Sequence, residues 1–396
     1  MVIDPKQWGA RVAGMATIAA AGVAVIYVPQ PVQPLVSAEF GVTGPTASAA
    51  TIAVQVGYAL GVVLLVSLGD RYSARRQVTA QLVATSVALV AAGLAPAYSI
   101  HVALCLVAGA TATVGQLLIS AALRLAPPAA RARTAAVLLG SFLVGLFLVR
   151  TALGAVAEAV GWRGAVVLCG IVVLALVPLS LRVSPAEAPS SPPAYRAILA
   201  TIPRVAAQSS TLRLMTVVHT LCFMAFIALW ATATPYAIEE LGLSVSAAAL
   251  LGVSGLLGGV ITMTAAPVHA RVGVPRSLAI SIATGFVGVT ALALAPNALP
   301  VAALGLLLLS AGMSSEQVST QAVGLASVAP EQGGRANTVY MGTTFLGGAL
   351  ASTVAAALYA ELGYRAVAVL GATLIAAAAS LALIAHRRGM LTPTPR

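Results

Sequence analysis

The chain has 396 residues, 60% of them hydrophobic and 8% charged, with a mean hydropathy of +1.00. A soluble domain carries about 25% charged residues, so this chain cannot solvate an ordinary globular surface, and lipid is its natural solvent. Lys and Arg outnumber Asp and Glu by 21 to 10, but the arginines stand in pairs between apolar runs without interleaved aromatics, which argues against a nucleic-acid surface and for topology control.

A spanning helix needs roughly 20 mostly apolar residues that satisfy their own backbone hydrogen bonds. On that length the sequence predicts twelve spans, at about 12–35, 46–68, 77–96, 100–124, 134–158, 163–182, 212–237, 246–268, 277–295, 299–326, 335–359 and 364–386. Span 1 follows Lys6 and Arg11 as a signal peptide would. It continues into a proline-rich turn without a small-residue cleavage site, so it is expected to remain as a membrane helix. Within it, Pro29, Pro31 and Pro34 of "YVPQPVQP" remove helix donors. That either frees carbonyls for a cavity or unwinds the outer end, and Tyr27, Gln30 and Gln33 become candidate substrate contacts. Further cavity candidates are Gln55 in span 2, Gln116 in span 4, His219 and Trp230 in span 7, and Asn337 and Tyr340 in span 11. Each taken alone reads first as glue between helices. Cys105, Cys169 and Cys222 lie in apolar runs without metal spacing and read as buried thiols. Glycine pairs such as Gly57 and Gly61, Gly252 and Gly255, and Gly342 and Gly347 suit close or sliding helix contacts.

The connections are short except for Arg182 to Arg213, where "SPAEAPSSPPAYR" marks a linker. It divides the chain into an N-terminal six-helix bundle (1–190), a linker (191–211) and a C-terminal six-helix bundle (212–396). Placing the N-terminus inside puts 18 basic residues on the cytoplasmic side against two outside, so both termini are expected in the cytoplasm. The halves repeat: "GWRG" at 161–164 returns as "GYRA" at 363–366, and Arg133, Gly140 and Gly145 return as Arg335, Gly342 and Gly347. Such parallel duplications place a binding site near the midplane between the halves.

"SLGDRYSARR", Ser67 to Arg76, resembles the loop signature of the major facilitator superfamily, an Asp-Arg pair followed by basic residues. Asp70 and Arg71 match it well, Arg75 and Arg76 approximately, while Val66 and Ser73 stand where glycines are usual. "YVPQP", "QVGYALG", "GWRG" and "RANTVYMGTTFLGGAL" are similar to the arabinose-efflux-permease-like and drug–proton antiporter-like branch. Span 5, "GSFLVGLFLVRTALG", departs from the drug antiporters in having no proline. The resemblance implies an all-α fold of two six-helix bundles, a monomer, and a cavity lined by spans 1, 4, 7 and 10. It also implies that Asp70 latches the halves against the start of span 11, with Arg71, Arg75 and Arg76 completing a cytoplasmic gate. Ala270 stands at the repeat position of Asp70, so the latch is one-sided.

Of the ten acids only Glu316 lies deep within a span. With Gln317, Thr320 and Gln321 it makes one polar stripe of span 10, expected to look into the cavity and to exchange a proton there. Arg150, in span 5, is the matching cation. At 1.5 Å per residue the two differ in depth by roughly 9 Å, so pairing or contact with an anionic substrate are both open. No Walker motif, metal cage or nucleophile elbow is present, so neither ATP nor any other cofactor is implied, nor is an enzyme. The sequence therefore reads as a secondary transporter in a prokaryotic plasma membrane, exporting a small organic molecule against protons by alternating access, the outward direction being what the resemblance implies. A proton-coupled uptake symporter, or a membrane receptor or scaffold that transports nothing, remain as alternatives.

Overall fold

The computed structural model describes residues 5–127, 130–186, 194–329 and 332–391. Among the described residues the regular structure is helical, and nine stretches are long and apolar enough to cross a membrane. Two of those, Val137–Val183 and Gly333–Arg387, each double back once. The helix Ala74–Gly93 adds another crossing that its glutamines and arginines make less apolar. Twelve crossings result. The chain is an all-α, multi-pass membrane protein, with an outer surface of exposed side chains such as Val87, Leu94, Leu148, Leu294 and Leu362.

The two reversals fall at Gly161 (φ 76°) and Gly363 (φ 72°), a left-handed conformation that glycine adopts without a Cβ clash. Side-chain contacts prove that the chain turns there. Trp8 Nε1 donates to Thr134 Oγ1, while Arg11 Nε donates to the carbonyl of Val183, so spans 5 and 6 begin and end at the same face. A carboxylate pins each turn. Glu39 accepts from Trp162 Nε1 (2.5 Å) and Arg163 Nε (2.8 Å), and Glu240 accepts from the backbone N–H of Tyr364 (2.9 Å). The ends of spans 1 and 7 correspond as well, both passing through a left-handed glycine, Gly41 (φ 63°) and Gly242 (φ 67°). The repeat read from "GWRG" and "GYRA" is thus a repeat of backbone geometry.

Three local outcomes differ from the sequence reading. Span 1 does not unwind at its prolines. Pro5–Val25 ends in a tight turn at 26–28 and a second helix, Pro29–Phe40, starts with Pro29 in its first turn, where the missing N–H has no intrahelical partner to lose. Span 4 likewise breaks between Tyr98–Thr111 and Val114–Leu125. The segment assigned to the linker contains the helix Tyr195–Gln208, whose Ile198 and Val205 are buried and whose Tyr195 hydroxyl donates to the carbonyl of Leu64 in span 2. Ile198, Ile202 and Val205 follow helical spacing, a signal that the proline-rich flank and Pro203 obscured.

Glycines set the closest helix contacts. A Cβ on Gly57 or Gly61 would lie 2.0 Å from a carbonyl oxygen of span 4, and one on Gly109 equally close to that of Val54 in span 2. Gly252 and Gly255 of span 8 instead receive Thr151 and Phe147 of span 5, across the two six-span groups. Gly109→Val should lower the thermal stability of the detergent-purified protein, by about 1–3 kcal/mol for overpacking. Gly9→Ala, at an exposed helical position with no atom within 4 Å of the added Cβ, should be neutral or slightly stabilising. Equal melting temperatures for the two variants would refute the close contact of spans 2 and 4.

Candidate functional site

The helix Leu299–Ala326 carries Glu316 with its carboxyl fully buried. Its Oε2 lies 2.9 Å from Nδ1 of His219, also fully buried, on the helix Ser210–Glu239. The imidazole stacks on Tyr340 (ring centroids 4.9 Å apart, planes 6° from parallel). The Thr320 hydroxyl donates to the Glu316 carbonyl oxygen (3.0 Å), so the Tyr340 hydroxyl donates to Thr320 Oγ1 (2.7 Å). Spans 7, 10 and 11 are therefore keyed together by one polar cluster. The stripe does not open on a wide cavity: beside Glu316 is a void of about 10 Å³ whose lining includes Cys222, Ser281, Gly285, Gly312 and Ile375. Glu316 faces the interior of the last six spans because His219 offers it a partner there. The pair is electrically neutral when it holds one proton, on either residue, and that is the least costly charge state in this setting. His219 Nε2 and Glu316 Oε1 have no protein hydrogen-bond partner among the described residues, so each has room for a proton or a donor.

Arg150 does not pair with Glu316. It lies beside Trp230, 11 residues along span 7 from His219, a separation of roughly 16 Å at 1.5 Å per residue. No Arg side chain covers that distance. Its guanidinium instead lies between rings, 4.5 Å from the centroid of Trp230, 4.7 Å from Tyr27, 5.8 Å from Phe147 and 5.9 Å from Phe226. The side chain is buried, and none of its three nitrogens has a protein acceptor among the described residues. Cation–π contacts are worth about 0.5–2 kcal/mol. Removing an ion from water costs several kcal/mol, so the rings offset part of the burial and leave the donors unmet. Phe147 and Phe226 escaped notice in the sequence, although Phe147 stands three residues before Arg150 and Phe226 four before Trp230, the spacing of one helix face.

Amides and hydroxyls join the two six-span groups. Gln55 Nε2 donates to Ser352 Oγ (3.0 Å), and Asn337 Nδ2 donates to Gln116 Oε1 (3.2 Å). Gln321 Nε2 donates to Asn337 Oδ1 (2.8 Å) and Gln116 Nε2 to the Tyr58 hydroxyl (3.4 Å), completing a chain from span 10 to span 2. Tyr58 packs on Phe345 (4.3 Å), and the backbone N–H of Ser246 donates to Glu158 near the opposite ends of the spans. Trp230 Nε1 donates to Ser310 Oγ (3.2 Å) and Gln33 Nε2 to Ser48 Oγ (3.2 Å). Gln317 is half-buried, and Gln30 is buried with neither amide atom partnered among the described residues. A cleft of about 830 Å³ lies between spans 9 and 12 and contains none of these residues.

In the arginine-rich loop, Arg75 donates from its backbone N–H to the Pro185 carbonyl (2.8 Å) and from Nε to that of Ser184 (3.3 Å), and the Arg76 guanidinium lies over Tyr72. Arg71 continues the turn Val66–Asp70, its N–H donating to the carbonyl of Leu68. That turn, with Gly334, Arg335 and Thr338 of span 11, borders a void of about 50 Å³. The Asp70 side chain, which would make the latch, lies outside the described residues.

Comparison with known proteins accords with this architecture. A family model described as Major Facilitator Superfamily matches residues 12–352. A probable transporter of Streptomyces coelicolor is 29% identical over 353 residues, 88% of this chain and 82% of its own. The uncharacterized transporter YgaY of Escherichia coli O157:H7 is 27% identical over 384 residues, 90% of this chain and 91% of its own. Among solved structures, nucleoside transporter NupG superposes with a TM-score of 0.75 at 10% identity, over 94% of this chain and 99% of its own. The human organic anion transporter MFSD10 superposes at 0.71 and 18% identity, over 96% and 100%. At those identities the two structures establish the fold.

Cysteines at positions 55 and 352, introduced as Gln55→Cys and Ser352→Cys in a background lacking Cys105, Cys169 and Cys222, should be joined by a short bifunctional thiol reagent that spans the length of the lost glutamine side chain, detected by mass spectrometry of the linked peptides. Failure to link would show that spans 2 and 11 do not meet as described.

Proposed function

The chain belongs to the Major Facilitator Superfamily, and from that premise we propose that it is a proton-coupled efflux transporter of a small organic molecule. It is a membrane transporter rather than an enzyme. In this reading it works as a monomer in the plasma membrane of a prokaryote, with the arginine-rich face and both termini in the cytoplasm. Residues 1–190 and 212–396 rock against each other about a midplane site, and the helix Tyr195–Gln208 tethers them through span 2. Asp70, with Arg71, Arg75 and Arg76, acts as the cytoplasmic gate.

One observation carries the coupling: the fully buried Glu316 hydrogen-bonded to His219. An ionisable pair at that depth is expensive to keep, and intramembrane acids that persist serve proton or ion pathways. Opened to the outside, the pair takes up a second proton and becomes cationic. Opened to the cytoplasm, it gives that proton up as substrate enters. The Tyr340 ring on His219 and the Thr320 hydroxyl on span 10 link this charge change to span 11, which meets span 2 of the other bundle through Ser352 and Gln55. The outward direction rests on resemblance to efflux permeases.

The test uses liposomes containing the purified protein and a molecule selected by thermal shift. Glu316→Gln should abolish flux driven by a pH gradient while gradient-independent exchange persists, and His219→Gln should shift the pH dependence of flux. Undiminished gradient-driven flux by Glu316→Gln would remove the coupling role. A pH gradient that drives the molecule in the same direction as the protons would make the protein a symporter.

A further inference from the structure

We propose that Arg150 is the charge-recognising residue of the substrate site, and that the transported molecule is a small organic carboxylate with a flat apolar body. The inference deepens the transporter reading and rests on it in one respect, that the two bundles separate to admit a ligand. Span 5 brings Arg150 and Phe147, and span 1 brings Tyr27, while Phe226 and Trp230 come from span 7 of the other bundle. Separation of the bundles therefore withdraws two of the four rings and uncovers the guanidinium, still flanked by Tyr27 and Phe147.

Two independent features ask for an oxyanion there. Among the described residues none of the three Arg150 nitrogens has a protein acceptor, and the residue is only 4% exposed. A planar guanidinium presents parallel N–H donors that match the two oxygens of a carboxylate. Three residues along span 1 from Tyr27, Gln30 is 2% exposed, and neither its amide nitrogen nor its amide oxygen has a protein partner among the described residues. The stretch of span 1 whose Tyr27 ring meets the guanidinium thus also carries an unmet donor and an unmet acceptor.

The surrounding rings select what the carboxylate is attached to. Tyr27, Phe147, Phe226 and Trp230 offer flat apolar faces on both bundles, which a flat ligand body can contact in turn as they close. The same cage, left to itself, would suit an organic cation. Arg150 already occupies that position, and its charge repels a second cation, so cationic drugs are excluded from this point of the pathway.

The test is equilibrium binding without any gradient, by calorimetry and thermal shift on the purified full chain. Benzoate, phenylacetate and 2-naphthoate are each compared with the corresponding amide and amine. At least one carboxylate should bind, its amide and amine about tenfold or more weakly, since a charge-assisted hydrogen bond is worth a tenfold step or more. Arg150→Gln should abolish that preference, Arg150→Lys should restore part of it, and Arg365→Gln, an exposed arginine, should leave it unchanged. The inference is overturned if no carboxylate binds at millimolar concentration, if amide or amine binds as tightly, or if folded Arg150→Gln keeps the preference. Carboxylate binding through Arg150 without proton-driven flux would keep this inference and sink the coupled-transport reading. Flux lost in Glu316→Gln without carboxylate preference would do the reverse.

Discussion

In hydrocarbon a buried polar group finds its partner in the protein or goes without, and that constraint organises this molecule. Apolar side chains make the helices and give little reason for one rotation over another, because lipid is as apolar as leucine. Rotation is fixed by the few polar groups. Glu316 and His219 turn spans 10 and 7 toward each other, Thr320 and Tyr340 bring in span 11, and Glu39 and Glu240 hold the two hairpin turns. Remove those pairings and the glycine contacts are left as the chief guide to how the helices meet.

The placement of charge also separates what is firm from what can move. Among the described residues, each of the two ion pairs stays inside its own six-span group, Arg163 with Glu39 in the first and His219 with Glu316 in the second, and none joins the two groups. The joints between the groups are amide and hydroxyl contacts, aromatic rings and glycine-lined surfaces, with two charged contacts that are not ion pairs, Glu158 on the backbone of Ser246 and Arg150 on the rings of span 7. Such hydrogen bonds contribute about 1 kcal/mol net apiece, so exchanging them for others costs little. A low-dielectric ion pair could not be broken so cheaply.

Much of this was legible in the sequence, because spans are set by length and hydropathy, which are local. The paired "GWRG" and "GYRA" turns made the repeat legible for the same reason. The site was only half legible. Glu316 stood out as an embedded acid, but its partner lies 97 residues away in sequence and depends on how spans 7 and 10 face each other. Counting residues to the membrane ends left pairing of Arg150 with Glu316 open, but the structure places Arg150 about three turns along span 7 from His219. The helix Tyr195–Gln208 was hidden behind the proline-rich stretch that precedes it, although its buried face was already spaced for a helix.

If the Glu316–His219 pair is the exchangeable proton store, its protonation can be watched without substrate, gradient or assay of transport. Infrared difference spectra of the protein in lipid, recorded between high and low pH, should contain a protonated-carboxyl stretching band that is absent from Glu316→Gln and displaced in His219→Gln. No titrating carboxyl band, or one that persists unchanged in Glu316→Gln, would mean that this acid keeps a fixed charge state and serves only to hold the helices together.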